Sequence, residues 1–182
     1  SGVLQGCPLS GIIFCLCIDP LVVAFQRLQT VENMTTRVCA DDVGCAVSQI
    51  SSLRKLKAIF DKADTLAGLK LKPGKCNLIP IAEPFDAHVK LKFQNWLSQH
   101  LPGWKSFNVV SVATYLGFAM GPCASTKLFV GVCSKWKGRA DSIAKAGTSM
   151  CVSTRAYNVY AVSVLSYIGQ LVLFPKAVLK HE

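Results

Sequence analysis

Thr35-Thr36-Arg37-Val38-Cys39-Ala40-Asp41-Asp42-Val43-Gly44-Cys45-Ala46-Val47-Ser48 consists of two short strand-like runs about a two-residue acidic centre. The runs favour extended backbone and the centre favours a turn, which predicts a β-hairpin with carboxylates at its tip. Phosphoryl transfer to a growing nucleic acid typically uses two Mg²⁺ ions about 3.5–4 Å apart, gripped by carboxylates on a rigid platform. Adjacent aspartates on a tight turn supply part of such a grip. Along extended backbone their side chains leave on opposite faces, so a full cage needs at least one more carboxylate. Asp-Asp is also ordinary turn chemistry, and the surrounding sequence has to decide between the two.

Upstream, residues 2–8 hold two glycines, a glutamine and a proline and read as a loop. Pro8 suits a first helical turn and Ser10 a cap. Residues 11–28 are apolar nearly all round, which predicts a buried helix, kinked or split at Pro20 because proline lacks the N–H donor. Downstream, Ser51 or Ser52 is placed to cap a helix. Leu53, Leu56, Ile59, Phe60, Ala63, Leu66 and Ala67 share one face of it, and Gly68 stops it. Leu69-Lys70-Leu71-Lys72 alternates as a strand, Pro73-Gly74 turns, and residues 75–81 resume extended structure.

A second amphipathic helix is predicted over residues 88–100, with Val89, Phe93, Trp96 and Leu97 as its stripe and Pro102-Gly103 as its end. Residues 109–120 are β-branched and aromatic and predict a strand or hairpin. A basic tail follows from Lys127, then an uncharged stretch over residues 156–175. That stretch is long enough to span a bilayer. Asn158, Ser163, Ser166 and Gln170 interrupt it, and Tyr157, Tyr160, Val164, Tyr167 and Leu171 form a stripe suited to packing in a soluble core, so no stable membrane association is expected.

Composition excludes a disordered chain, a collagen and a highly charged coiled coil, since 51% of the 182 residues are hydrophobic and 16% charged. One core, with a smaller appendage, is the expectation at this length. The nine cysteines are odd in number and no export signal precedes them, so reduced thiols in an intracellular, non-secreted protein are expected. No C-x-x-C pair occurs and the three histidines lie outside finger spacing, so structural zinc is not expected. The chain opens on Ser1-Gly2-Val3 and is expected to be a piece of something longer. Its net charge of +10 is uneven. Residues 1–50 hold two basic against four acidic side chains, leaving +12 on the remainder, a surface suited to a polyanion.

Four short blocks fall in register: Gly2-Val3-Leu4-Gln5-Gly6-Cys7-Pro8-Leu9-Ser10, then Cys39-Ala40-Asp41-Asp42, then Gly68-Leu69-Lys70-Leu71-Lys72-Pro73-Gly74-Lys75, then Tyr115-Leu116-Gly117. In order and spacing they resemble the B, C, D and E blocks of the reverse transcriptase domain of non-LTR retrotransposons. The resemblance implies an α+β fold, a partial right-hand polymerase palm over residues 1–122 with an antiparallel sheet packed on helices, followed by a basic, mainly helical thumb-like region over 123–182. It implies RNA-directed DNA polymerase activity with an RNA template, a DNA primer and dNTP as partners. Asp41 and Asp42 take the catalytic metal-binding positions for two Mg²⁺ ions. Gln5 and Gly6 line the nucleotide and template, and Cys39 stands where the family usually has an aromatic near the primer end. Lys75 approaches the triphosphate as general acid, with Lys72 the competing candidate, and Tyr115, Leu116 and Gly117 correspond to the primer grip. Lys135 and Arg139, four apart and beside Trp136, place two cations and a ring on one helical face for phosphate contacts.

The family's first catalytic aspartate precedes the glutamine block, and no acidic residue precedes Gln5 here, so one ligand aspartate is missing from this chain and activity is expected only with an upstream portion. Two alternatives stand beside the polymerase: a catalytically dead basic nucleic-acid-binding remnant, and a small membrane protein anchored by residues 156–175.

Overall fold

The computed structural model describes residues 6–122, 124–170 and 172–173, and it is an α+β protein. The chain divides into two compact units, residues 1–110 and 111–182.

In the first unit, α1 (Ser10–Glu32) runs into a hairpin of β1 (Met34–Cys39) and β2 (Asp42–Val47) through Asn33. Asn33 has a φ of 45°, left-handed backbone that asparagine tolerates better than most residues. The predicted hairpin is present, antiparallel from Met34↔Val47 to Cys39↔Asp42. A short 3₁₀ turn (Ile50–Ser52) leads into α2 (Leu53–Ala67). Gly68 ends it at φ 67°, where its N–H reaches the Asp64 carbonyl at 2.9 Å and the Leu69 N–H reaches that of Ala63 at 3.2 Å. α3 (Ala87–His100) starts where Asp86 Oδ1 accepts from the Val89 N–H at 2.7 Å. Its stripe is as predicted, with Val89 and Leu97 buried and Phe93 and Trp96 half-buried. Phe25, Leu53, Leu56, Leu97, Leu101, Trp104 and Val109 gather α1, α2 and α3 around one core.

Three expectations are corrected here. α1 continues as helix through Pro20, and its first half is exposed, with Leu16 at 70% and only Phe25 buried in the whole helix. An apolar sequence states a need for cover and not the element that meets it. Among the described residues of the first unit, the core reaches α1 from Leu21 onward. Because Leu16 is in solvent, water is available to the carbonyl that Pro20 leaves without a helical donor. Secondly, Leu66 at the end of α2 is 85% exposed and Ala67 is exposed too, so the apolar face stops at Ala63. Thirdly, residues 69–72 form no strand. Alternating Leu and Lys satisfies the pattern, yet a strand also needs a pairing partner, and the backbone passes instead into a 3₁₀ turn (Pro73–Lys75). Extended pairing is confined to β3 (Asn77–Leu78), parallel to β4 (Asn108–Val109).

Neither predicted serine caps α2 with its side chain. Ser52 Oγ donates instead to Glu32 Oε2 at 2.9 Å, and Lys55 Nζ donates to Glu32 Oε1, tying α2 to the end of α1. The Lys55 ammonium and then the Ser52 hydroxyl hold the Glu32 carboxyl below its ordinary value of 4.5. A depressed carboxyl contributes stability in full above its unfolded-state pKa and loses it as pH falls through the folded value. The first unit is therefore expected to lose stability on acidification, and Glu32→Gln to flatten that part of the profile. Thermal melts of both proteins from pH 7 to pH 3 check this, and identical slopes refute it.

The second unit opens on a hairpin of β5 (Ala113–Tyr115) and β6 (Phe118–Met120). Leu116 and Gly117 form its two-residue turn with φ 48° and 83°, the positive pair that a twisted hairpin favours. α4 (Ala124–Lys145) follows, then α5 (Met150–Ala156), a π-helical section (Tyr157–Val162) and α6 (Ser163–Gly169). Phe129 and Ile168 anchor its core, with Phe118, Val132 and Cys133 packed against them. The tyrosine stripe expected to be the packing face is not the buried one. Ala161, Leu165 and Ile168 are buried, Tyr157 and Val164 are half-buried, and Tyr160 and Tyr167 are exposed, so the packed face is turned by about one residue from the expected stripe; Leu171 lies outside the described residues.

Of the stretch 156–175, the helix ends at Gly169, and residues 171, 174 and 175 lie outside the described residues. Among the described residues, α1 is the single helix long and apolar enough to cross a membrane.

Candidate functional site

Pairing of Cys39 with Asp42 leaves Ala40 and Asp41 as the two-residue loop of the acidic hairpin. Ala40 takes φ 52°, backbone that an alanine adopts at a cost of about 1–2 kcal/mol, and the ladder on either side holds it there. Asp41 sits at the tip and Asp42 is the first residue of β2, and both are exposed. Neither carboxylate has a hydrogen bond or ion pair with another described side chain. Cys39, also exposed, faces Asp42 across the ladder. A groove of about 650 Å³ lies beside them between α1 and β1, lined by Phe14, Ile18, Phe25, Thr36, Val38 and Ala40 among others.

This tip presents two exposed aspartate side chains next to the groove. Among the described residues no group of three Asp, Glu, His or Cys side chains stands together to hold a metal ion. The described residues therefore do not fit a two-Mg²⁺ cage by themselves.

Lys75 was expected on a strand and ends the 3₁₀ turn instead. Asn108 Nδ2 donates to the Gly74 carbonyl at 3.0 Å and the Lys75 N–H reaches the Lys72 carbonyl at 2.9 Å, so a fixed turn presents both exposed lysines. Gly6 lies in an exposed turn at φ 91°, a conformation that favours glycine. Gln5 lies outside the described residues.

Tyr115, Leu116 and Gly117 come together as the second hairpin's tip, in the second unit. On α4, Lys135 is exposed, but its two neighbours are engaged locally. Trp136 Nε1 donates to the Tyr157 hydroxyl at 3.2 Å, and Arg139 Nη1 donates to the Tyr160 carbonyl at 2.6 Å. Both fasten α4 to the π-helical section, so of the three only Lys135 carries an unengaged cation for phosphate.

Sequence reasoning missed the contact of Tyr167 with the Tyr115-Leu116-Gly117 turn. The Tyr167 hydroxyl donates to the Leu116 carbonyl at 2.5 Å and its ring stacks on Phe118 at 4.9 Å. A tyrosine on an apolar stripe signals burial of the ring and gives no sign of where the hydroxyl goes. All eight described cysteines are free thiols. No family model, curated protein or solved structure matches the chain.

Proposed function

We propose that this chain is the palm and the beginning of the thumb of an RNA-directed DNA polymerase. The Asp41-Asp42 tip contributes two carboxylates to a nucleotidyl-transfer centre completed by other chain, and the basic second unit holds an RNA template and DNA primer by their phosphates. One observation carries the proposal: the four ordered blocks put their acidic member at a hairpin tip, Asp41 in the two-residue turn and Asp42 on the first residue of β2, where both carboxylates are exposed and unpaired among the described residues. Gln5 and Gly6 then border the nucleotide and template, the Lys72–Lys75 turn meets the triphosphate, and the Tyr115-Leu116-Gly117 turn meets the primer. The protein works inside the cell, on nucleic acid. The test is incorporation of labelled dTTP on poly(rA) annealed to oligo(dT), by the polypeptide encoded by the whole reading frame in which this chain lies. Template-dependent incorporation is the expected result, and its absence overturns the polymerase reading.

A second reading, nucleic-acid binding without catalysis, is favoured by the lack of a third metal-ligating side chain among the described residues. Residues 111–182 hold eight Lys and Arg against Asp141 and Glu182, a net +6. If six phosphates are neutralised, single-stranded RNA affinity should fall with salt at a log–log slope of about −4. Fluorescence anisotropy between 50 and 200 mM KCl (roughly the range over which counterion release is usually measured) reads that slope. A slope near zero removes the phosphate-binding role from both readings.

A further inference from the structure

We propose that Tyr167 is the positioning residue of the Tyr115-Leu116-Gly117 turn, locking the tip of the β5–β6 hairpin to α6 so that a primer strand meets it in one conformation. The inference rests on the proposed contact of that turn with the primer, and it adds a residue that lies outside all four sequence blocks.

Three contacts converge on the turn from one side chain. The Tyr167 hydroxyl donates to the Leu116 carbonyl, its ring stacks on Phe118 with planes 29° apart, and its Cε1 lies 3.1 Å from where a Cβ on Gly117 would stand. The φ of 83° favours glycine there, and a Cβ at that position would also press on the Tyr167 ring. Leu116 holds a φ of 48°, a conformation that a leucine keeps only when its surroundings impose it. The Tyr167 hydroxyl, bonded to that residue's own carbonyl, is such an imposition. Ile168, the next residue, is buried against Phe129 of α4, so the clamp is backed by the core of the unit and is not a loose surface contact.

The bond also changes what the tip offers a nucleic acid. An unbonded carbonyl oxygen repels a phosphodiester, whereas one that accepts from a hydroxyl has part of its charge answered. Tyr167 itself remains 46% exposed, so the clamp borders solvent, where a strand could reach it.

Tyr167→Phe in the 182-residue chain separates positioning from bulk, since it removes the hydroxyl and keeps the ring. Two measurements are paired. Hydrogen exchange reads the amides of residues 116–118, and anisotropy reads affinity for an RNA oligonucleotide with and without an annealed DNA primer. The expected result is exchange faster by about 2- to 10-fold, the scale of one lost hydrogen bond, with a similar loss of affinity for primed RNA and none for unprimed RNA. Lys135→Gln is the control and should weaken both ligands alike. Unchanged exchange overturns the clamp. Faster exchange with an unchanged preference for primed RNA makes Tyr167 a structural residue only and overturns the positioning role. If the unsubstituted chain itself shows no preference for primed RNA, the primer reading of the turn falls and takes the positioning role with it, while the exchange result still reports whether the clamp exists.

Discussion

Asp41→Asn, placed in the polypeptide that carries out incorporation on primed RNA, is expected to lower the rate on the order of 100-fold or more. That is the scale on which removing one preorganised charge-stabilising group acts. Asparagine keeps the shape and the turn preference of aspartate while losing the charge and turning one acceptor oxygen into an NH2 donor. Asp41 is exposed at the tip and has no described side-chain partner, so the substitution has nothing to break in the fold, and stability should stay within about 0.5 kcal/mol. The separation of the two readouts gives the experiment its force. Loss of incorporation with an unchanged melting temperature assigns the carboxylate to chemistry. Retained incorporation sinks the assignment of the acidic hairpin, and a joint fall in activity and melting temperature returns Asp41 to turn chemistry.

Phe25→Ala should cost the first unit about 3–5 kcal/mol. Phe25 is 1% exposed and is the only buried residue of α1, so the helix is fixed to the core chiefly through it. Its ring lies 5.4 Å from Phe60 of α2, which in turn meets Trp104 edge-on at 6.0 Å, just past the end of α3. Removing the first ring therefore uncouples α1 from a chain of aromatics that joins α1, α2 and the turn after α3. Phe25 also borders the groove beside the acidic hairpin, so part of the void opens to water and the expected cost falls toward the lower end of the range. For a unit of this size each kcal/mol moves the melting temperature by about 4–8 °C, so a drop of more than about 12 °C is expected by calorimetry. Leu16→Ala, on the exposed half of the same helix, should move it by less than about 3 °C. Equal effects at the two positions would mean that α1 is covered along its whole length.

The elements with strong local signals were legible in the sequence. The acidic hairpin needs only two β-favouring arms and a turn and is present, although its loop is Ala40 and Asp41 and not the acidic pair; α3 follows from its stripe, while its capping Asp86 was not read from the sequence. Where partners decide, the pattern falls short. Leu69 to Lys72 alternates correctly and still makes no strand, because pairing goes to Asn77 and Leu78 against Asn108 and Val109, 31 places further on. The apolar α1 is exposed along half its length, since composition fixes a need for burial and not its fulfilment. At the site, the charged residues were nameable from their order, but the uses of Trp136, Arg139 and Tyr167 were not. Each is settled by one polar atom meeting a backbone or hydroxyl group far along the chain, and periodicity carries no record of that.

The bare first half of α1 also governs how the chain behaves as a colloid. A net charge of +10 keeps copies apart at low ionic strength, while Ile12, Ile13 and Leu16 present a greasy ridge that no like charge shields at contact range. Added electrolyte shortens the reach of the repulsion to about 8 Å at physiological strength and leaves the ridge untouched. Copies of the chain are therefore expected to associate more readily as salt is raised, and the ridge on α1 is where they would meet.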